Sequence, residues 1–480
     1  MKQNNILKPV FALLLLAAIG RYAPAEETEK PAVSAVSENG TKDEEVSEYE
    51  EKRAVILYGL GDDILELIKR LKQDEDTRFD QDLQEMFLKT KIPALKAALF
   101  SYFSEKQSVV LQAEALAVLE NRYEYQKEIV RAAISYIKEI KTAEAAEQLK
   151  TILKEDTADF GDACISALGK IGSPEDAVFL AEFFESDISE DEKQTLITKQ
   201  NIMFALEELH YAENKEFFKQ TAEDTDENAI IRGTAASALG KIGDEDVLPI
   251  LTALFEDKDP YLRASAIKGV AEFKSKEAED VLLQGFKDSY YKVRLQAVRS
   301  AKEAKRGEAV PYLLYRAKKD PETVVKKAAI EALSELNNGE ANNWLVESFK
   351  SEKTGQPVRL TIAEFLLKNN FAVIYPDVEK EALKLISDPK RKQFCMELGK
   401  VISKIENAST APVAEAYLNH KDTMIKSIGL DMFKRNKYSS LVPLVSSIAR
   451  DKKSGALGRR AKSLLEIAGH TLTEEEPETK

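Results

Sequence analysis

The 480-residue sequence predicts an all-α chain built from a short repeat, and three observations carry that prediction. The heptapeptide Ser-Ala-Leu-Gly-Lys-Ile-Gly occurs at 166–172 and again at 237–243, with a weaker copy from Ala205 to Leu209 between them. Ile231-Arg232, Leu262-Arg263, Val293-Arg294, Val325-Lys326 and Val358-Arg359 return at intervals of 31, 31, 32 and 33 residues, and a fixed period of this length marks a repeat architecture. No alternating apolar–polar run long enough for a half-buried strand occurs anywhere.

The first 25 residues obey a different logic. Lys2 and Lys8 precede an apolar run from Val10 to Ile19, and Ala23-Pro24-Ala25 follows, which is the pattern of a secretory signal peptide. The run is about half of the ~20 residues a membrane-spanning helix needs, so no transmembrane segment is expected. Neither cysteine lies near Ala25, so no lipid anchor is expected either. Residues 26–52 are rich in Glu, Ser and small residues and read as a disordered acidic linker, because they bury too little apolar surface to offset the entropy of ordering. The acidic tail 471–480 reads the same way.

Between these ends, residues 53–122 are apolar and helical in pattern, with candidate helices at Leu95–Phe103 and Val109–Leu119, but lack the apolar-basic signature. They read as divergent repeats or an N-terminal cap. From 123 to 470 each period holds two helical patterns. In one, Asp246–Glu256, a proline sits in the first turn, where its missing N–H costs little. In the other, Ile231, Ala235, Ala238, Leu239 and Ile242 share a face, and Gly243 stops the helix.

The run from Leu248 through Asp257-Lys258-Asp259-Pro260-Tyr261-Leu262-Arg263 to Val270 resembles the HEAT repeat, in the short bacterial form similar to the bilin-lyase HEAT-like repeats. The resemblance is strong from about 123 to 389 and traceable through Arg391, Lys426 and Arg459 to about 468. It implies a right-handed α-solenoid of stacked antiparallel helix pairs, an armadillo-type superhelix of roughly eleven repeats, with the helices that begin at the Val-Arg positions on the concave face. Elementary packing agrees, because one helix pair cannot bury its apolar stripe alone.

The resemblance also implies that the pairs Asp226 and Arg232, Asp257 and Arg263, Asp288 and Arg294, and Asp320 and Lys326, each six residues apart, form a structural ladder linking successive turns. Variable columns on the concave helices are the candidate partner-binding residues: Thr234, Ser265 and Gln296 in one, and Ser237, Lys268 and Arg299, continuing to Glu331 and Glu364, in the other. Trp344 aligns with Phe179, Ile250, Val281 and Tyr312 in an always-apolar column and reads as core, whereas Tyr315 falls in a variable column and reads as solvated.

Little points to catalysis. The three histidines, His210, His420 and His470, are far apart, and there is no His-Glu pair, Cys-x-x-Cys, phosphate-binding glycine loop or nucleophile elbow. No catalytic residue, metal or cofactor is therefore expected. Cys164 and Cys395 stand about seven repeats apart and read as free thiols.

Charge is the second firm feature. The chain carries a formal charge of −14, which opposes a general nucleic-acid binder. It is also polarised, at −26 over residues 26–289 and +13 over 290–462. The basic half, with Lys318-Lys319, Lys326-Lys327, Lys390-Arg391-Lys392 and Arg459-Arg460, suits an anionic surface. The expectation is a non-enzymatic scaffold that presents its concave helices to an extended protein of the cell envelope. It would be periplasmic in a Gram-negative-like bacterium and secreted otherwise. The alternative is a lyase-like or ligand-binding accessory protein of the envelope.

Overall fold

A computed structural model describes residues 38–186, 188–209 and 214–470, which fold into 26 α-helices joined by short 3-10 turns and loops, with no strand among them. The expected signal peptide (1–25), residues 26–37 of the expected linker, His210 and the tail 471–480 lie outside the described residues.

The chain divides after Thr90 into two units. The first holds α1 (Glu38–Tyr58), α2 (Gly61–Gln73) and α3 (Asp80–Lys89). Here the linker expectation fails from Glu38 onward, because the segment is helical and its second half is held to the rest of the unit. The Tyr49 ring stacks on buried Phe79 with centroids 5.0 Å apart, Lys52 Nζ lies 3.6 Å from Asp76, and Arg53 lies 3.3 Å from Asp82. Composition alone hid these anchors, since a single aromatic and two cations set the contacts. Ile56, Ile64, Leu67, Ile68, Leu71 and Leu83 complete the core of the unit.

The second unit opens with α4 (Pro93–Glu105) and continues as eleven helix pairs among the described residues. These are α5 and α6 (Gln112–Glu120, Lys127–Ile140), α7 and α8 (Ala146–Glu155, Thr157–Ile171), α9 and α10 (Pro174–Phe184, Glu192–Leu209), and α11 and α12 (Lys215–Glu223, Ala229–Ile242). Next come α13 and α14 (Leu248–Phe255, Pro260–Val270), α15 and α16 (Lys276–Gly285, Tyr291–Glu303), and α17 and α18 (Val310–Lys319, Thr323–Leu336). The last are α19 and α20 (Gly339–Lys350, Gln356–Asn369), α21 and α22 (Phe371–Ile386, Lys392–Ile402), α23 and α24 (Ala411–Leu418, Thr423–Asn436), and α25 and α26 (Val442–Arg450, Gly455–Ile467). Helix α4 packs directly on α6, so the stack runs without a break through residue 122, where the sequence reading placed a boundary between cap and solenoid.

Local chemistry sets the helix ends. Asn228, Asp259 and Asp422 cap α12, α14 and α24 by accepting from N–H groups two residues on, and Ser173 with Asp176 forms a reciprocal capping box on α9. The two copies of the heptapeptide end differently. Gly243 takes φ +77° and terminates α12 in the left-handed conformation, whereas Gly172 is extended and leads into the Ser173 cap.

The even-numbered helices from α4 to α26 form one row and the odd-numbered helices from α5 to α25 the other, and the even row is packed more closely. The repeated glycine explains how. A Cβ on Gly169 would stand 2.9 Å from Cα of Ala205 in α10, and one on Gly240 would stand 2.4 Å from Cα of Gly269 in α14. The even helices are therefore the tighter, inner row and the odd helices the outer row. Gly240→Ala is expected to overpack the α12–α14 contact and cost about 1–3 kcal/mol, read as a lower urea midpoint with helical content retained.

Candidate interaction surface

Helices α12, α14, α16 and α18 of the inner row begin at turns that carry an Asp and, six residues on, an Arg or Lys, and the geometry there decides which side chains of the ladder meet. Each arginine binds the side chain of the next repeat's aspartate rather than that of the aspartate six residues before it. Arg263 donates through Nε and Nη2 to Asp288 at 2.7 and 3.0 Å, and Arg294 donates to Asp320 at 2.8 Å through both nitrogens. From the aspartate six residues back, each arginine takes only the backbone carbonyl: Arg263 Nη1 donates to Asp257 O at 3.0 Å and Arg294 Nη1 to Asp288 O at 3.1 Å. One guanidinium thereby clamps two consecutive turns. At the upstream end Arg232 lies 3.9 Å from Asp257 and donates to Ala222 O, while Asp226 is exposed. At the downstream end Lys326 is half-buried, and Arg294 and Arg316 are the cations that hold Asp320.

The electrostatics follow. Burial pushes the Asp288 and Asp320 carboxyls up, but the arginine hydrogen bonds and the N–H groups of Tyr290 and Glu322 outweigh it and hold both below the usual aspartate range. The hydrogen bonds to Asp288 and Asp320 raise the Arg263 and Arg294 guanidiniums further still.

Of the six residues expected to bind a partner, Thr234, Ser237 and Ser265 are buried. The cause is the close approach of the inner helices: a Cβ on Gly233 would come within 2.6 Å of Ser265 Oγ, and Thr234 Oγ1 spends its hydrogen on Ile230 O. Small residues in a variable column were thus packing surface. Gln296 is half-buried and donates to Ser300 Oγ at 3.1 Å. Lys268 reaches back two repeats to Glu207 at 3.0 Å, which Lys241 also meets at 3.0 Å. Burial raises the Glu207 carboxyl, and the two lysines more than reverse that and lower it overall. Arg299 is exposed, as is Lys292 on the same helix. Glu331 and Glu364, which continue the second column, pair with Lys302 and Lys327.

The sequence reading missed the apolar side chains that start the inner helices. Ile230, Tyr261 and Val324 each occupy the second position of α12, α14 and α18 and remain 39%, 41% and 45% exposed. Their signal was the residue just before each apolar-basic pair, which varies in type yet stays apolar at these three starts.

Trp344, read as core, is half-buried with Lys318 Nζ 5.2 Å from its ring, and Tyr315 is exposed beside a groove on the outer row. Cys164 and Cys395 are free and buried, and burial pushes the Cys164 thiol up to about 12, far from a nucleophile's range. No group of three or more His, Cys, Asp or Glu among the described residues is placed to hold a metal, and no described helix is long and apolar enough to cross a membrane.

Stacked helix pairs with a closely packed inner row, clamped by Arg263–Asp288 and Arg294–Asp320 at successive turns, define an α-solenoid of the HEAT type. The chain belongs to the family described as spirochaete HEAT repeat protein, which it matches over residues 56–464. No curated protein matches it. Among solved structures it is similar to the complex of CpcE and CpcF of phycocyanin lyase from Nostoc sp. PCC7120, at 15% identity over 61% of this chain and 94% of that one, with a TM-score of 0.29. It is also similar to Kap121p, at 11% identity over 90% of this chain and 55% of that one, with a TM-score of 0.39. Likeness at this level says nothing of what the chain binds.

Asp320 is fully buried against buried Arg294, so Asp320→Ala is expected to cost about 3–5 kcal/mol, because it strands a buried guanidinium; chemical denaturation measures it. Both clamped carboxyls lie below their unfolded value, so their contribution is complete above the ordinary aspartate range and is lost as pH falls through that range and the folded values. Urea midpoints should therefore drop on acidification from neutral pH, and less so in Asp288→Asn.

Proposed function

We propose that the chain is an exported, non-enzymatic scaffold of the cell envelope that holds an extended protein partner along its inner helices. The observation that carries this reading is the run of exposed apolar side chains Ile230, Tyr261 and Val324 at the starts of α12, α14 and α18, with exposed Lys292 and Arg299 on α16 between them. These groups stand on helices whose positions are set by the stack, so a partner pays the ordering cost mostly on its own side. The cations suit an acidic partner, and charge of that kind steers association more than it adds affinity. The signal-like pattern at 1–25 supports export.

Crosslinking in the intact envelope, affinity capture and mass spectrometry test the reading. One or two dominant envelope proteins are expected from the wild type and should be lost from Tyr261→Asp combined with Arg299→Glu. Lys268 is unsuited to such a test, because reversing its charge beside Glu207 would disturb the stack itself. Retention of every partner by the double variant would refute the placement. Recovery of the protein alone, with a bound small molecule or a turnover activity, would refute the scaffold.

A further inference from the structure

We propose that copies of this chain associate head to tail, with the α1–α2 turn of one copy seated in the groove beside Tyr312 and Tyr315 of another. Two features on different parts of the chain match in chemistry.

The first is an apolar tip. Leu57, Tyr58 and Leu60 surround the turn between α1 and α2, and Tyr58 and Leu60 are 83% and 76% exposed, the two highest values among the described large hydrophobic residues. The turn is built rather than frayed. The Gly59 N–H donates to Val55 O at 2.9 Å, and a Cβ at Gly59 would lie 2.5 Å from that oxygen, so only glycine fits. Asp62 and Asp63 follow at once, exposed in the first turn of α2. Large apolar side chains this exposed, on a unit that already has a closed core, mark an interaction site.

The second is a groove of about 400 Å³ on the outer row, walled by Pro311, Tyr312 and Tyr315 and flanked by Lys287 and Arg316. Lys287 Nζ lies 5.5 Å from the Tyr312 ring centre, and Arg316 Cζ lies 4.7 Å from that of Tyr315, so the cations sit at the edge of an aromatic surface.

An aromatic and a leucine followed by two carboxylates thus face a tyrosine-and-proline groove flanked by two cations. The same polarity runs through the whole chain, −26 over residues 26–289 and +13 over 290–462. Because the two surfaces differ, the contact is heterologous and leaves each joined pair with one tip and one groove for further copies.

Sedimentation velocity of the purified chain at rising concentration tests this directly. The mean mass is expected to climb above the 53.7 kDa of one copy, and to do so less at high salt. Tyr58→Asp with Leu60→Asp should hold the chain at one copy with unchanged circular dichroism. Lys287→Glu alone, and Asp62→Lys with Asp63→Lys alone, should each weaken association several-fold, and mixing these two variant chains should restore it in part. A single copy at every concentration would overturn the proposal. So would self-association that ignores the Tyr58, Leu60 and Lys287 substitutions, or a Tyr58 tip that binds only a foreign protein. Envelope capture by the inner helices can succeed or fail independently, since none of these residues lies on them.

Discussion

A helix pair of about 31 residues leaves one apolar flank facing water, and only the next pair covers it. Everything else in the second unit is arranged around making that one contact close and repeatable. On the inner row the contact is nearly backbone to backbone, with Gly240 set against Gly269 and Gly169 against Ala205. Such an approach gains dispersion contacts along the length of both helices, and it allows no larger side chain at the crossing.

Apolar burial does not by itself set register, since one greasy stripe slides on another at little cost. Between the repeats of α14, α16 and α18 the Arg263–Asp288 and Arg294–Asp320 clamps supply it. A guanidinium with its planar fork spent on one carboxylate and its remaining nitrogen on a carbonyl of its own turn admits a single geometry. The depressed carboxyls follow from this arrangement. They belong to a structural part, although perturbed acids and bases elsewhere often mark catalysis. The Glu207–Lys241–Lys268 cluster extends the idea across three repeats and ties α10, α12 and α14 together.

Some large apolar side chains are not used by the packing of the stack and stay exposed. The starts of the inner helices carry Ile230, Tyr261 and Val324, and the outer row carries the Tyr312 and Tyr315 groove. These differ in chemistry and lie on opposite rows, so the two proposed contacts use separate residues.

The repeat length, the all-α class, helix stops such as Gly243 and the Ile231, Ala235, Ala238 and Leu239 face of α12 were legible in the sequence by itself, because periodicity and cap chemistry are local. The HEAT family was legible too, through the resemblance carried by the run from Leu248 through Asp257 and Arg263 to Val270. Tertiary structure decided which neighbour each group meets. It gave Arg263 to Asp288 instead of Asp257's side chain, buried Thr234, Ser237 and Ser265 between inner helices, and spent Lys268 on Glu207. It also made residues 38–52 part of the helix Glu38–Tyr58, where composition reads as linker. A pattern along one chain records which face a residue lies on, whereas how near the next repeat comes depends on the side chains of both, and that distance decides whether a small polar residue is surface or core.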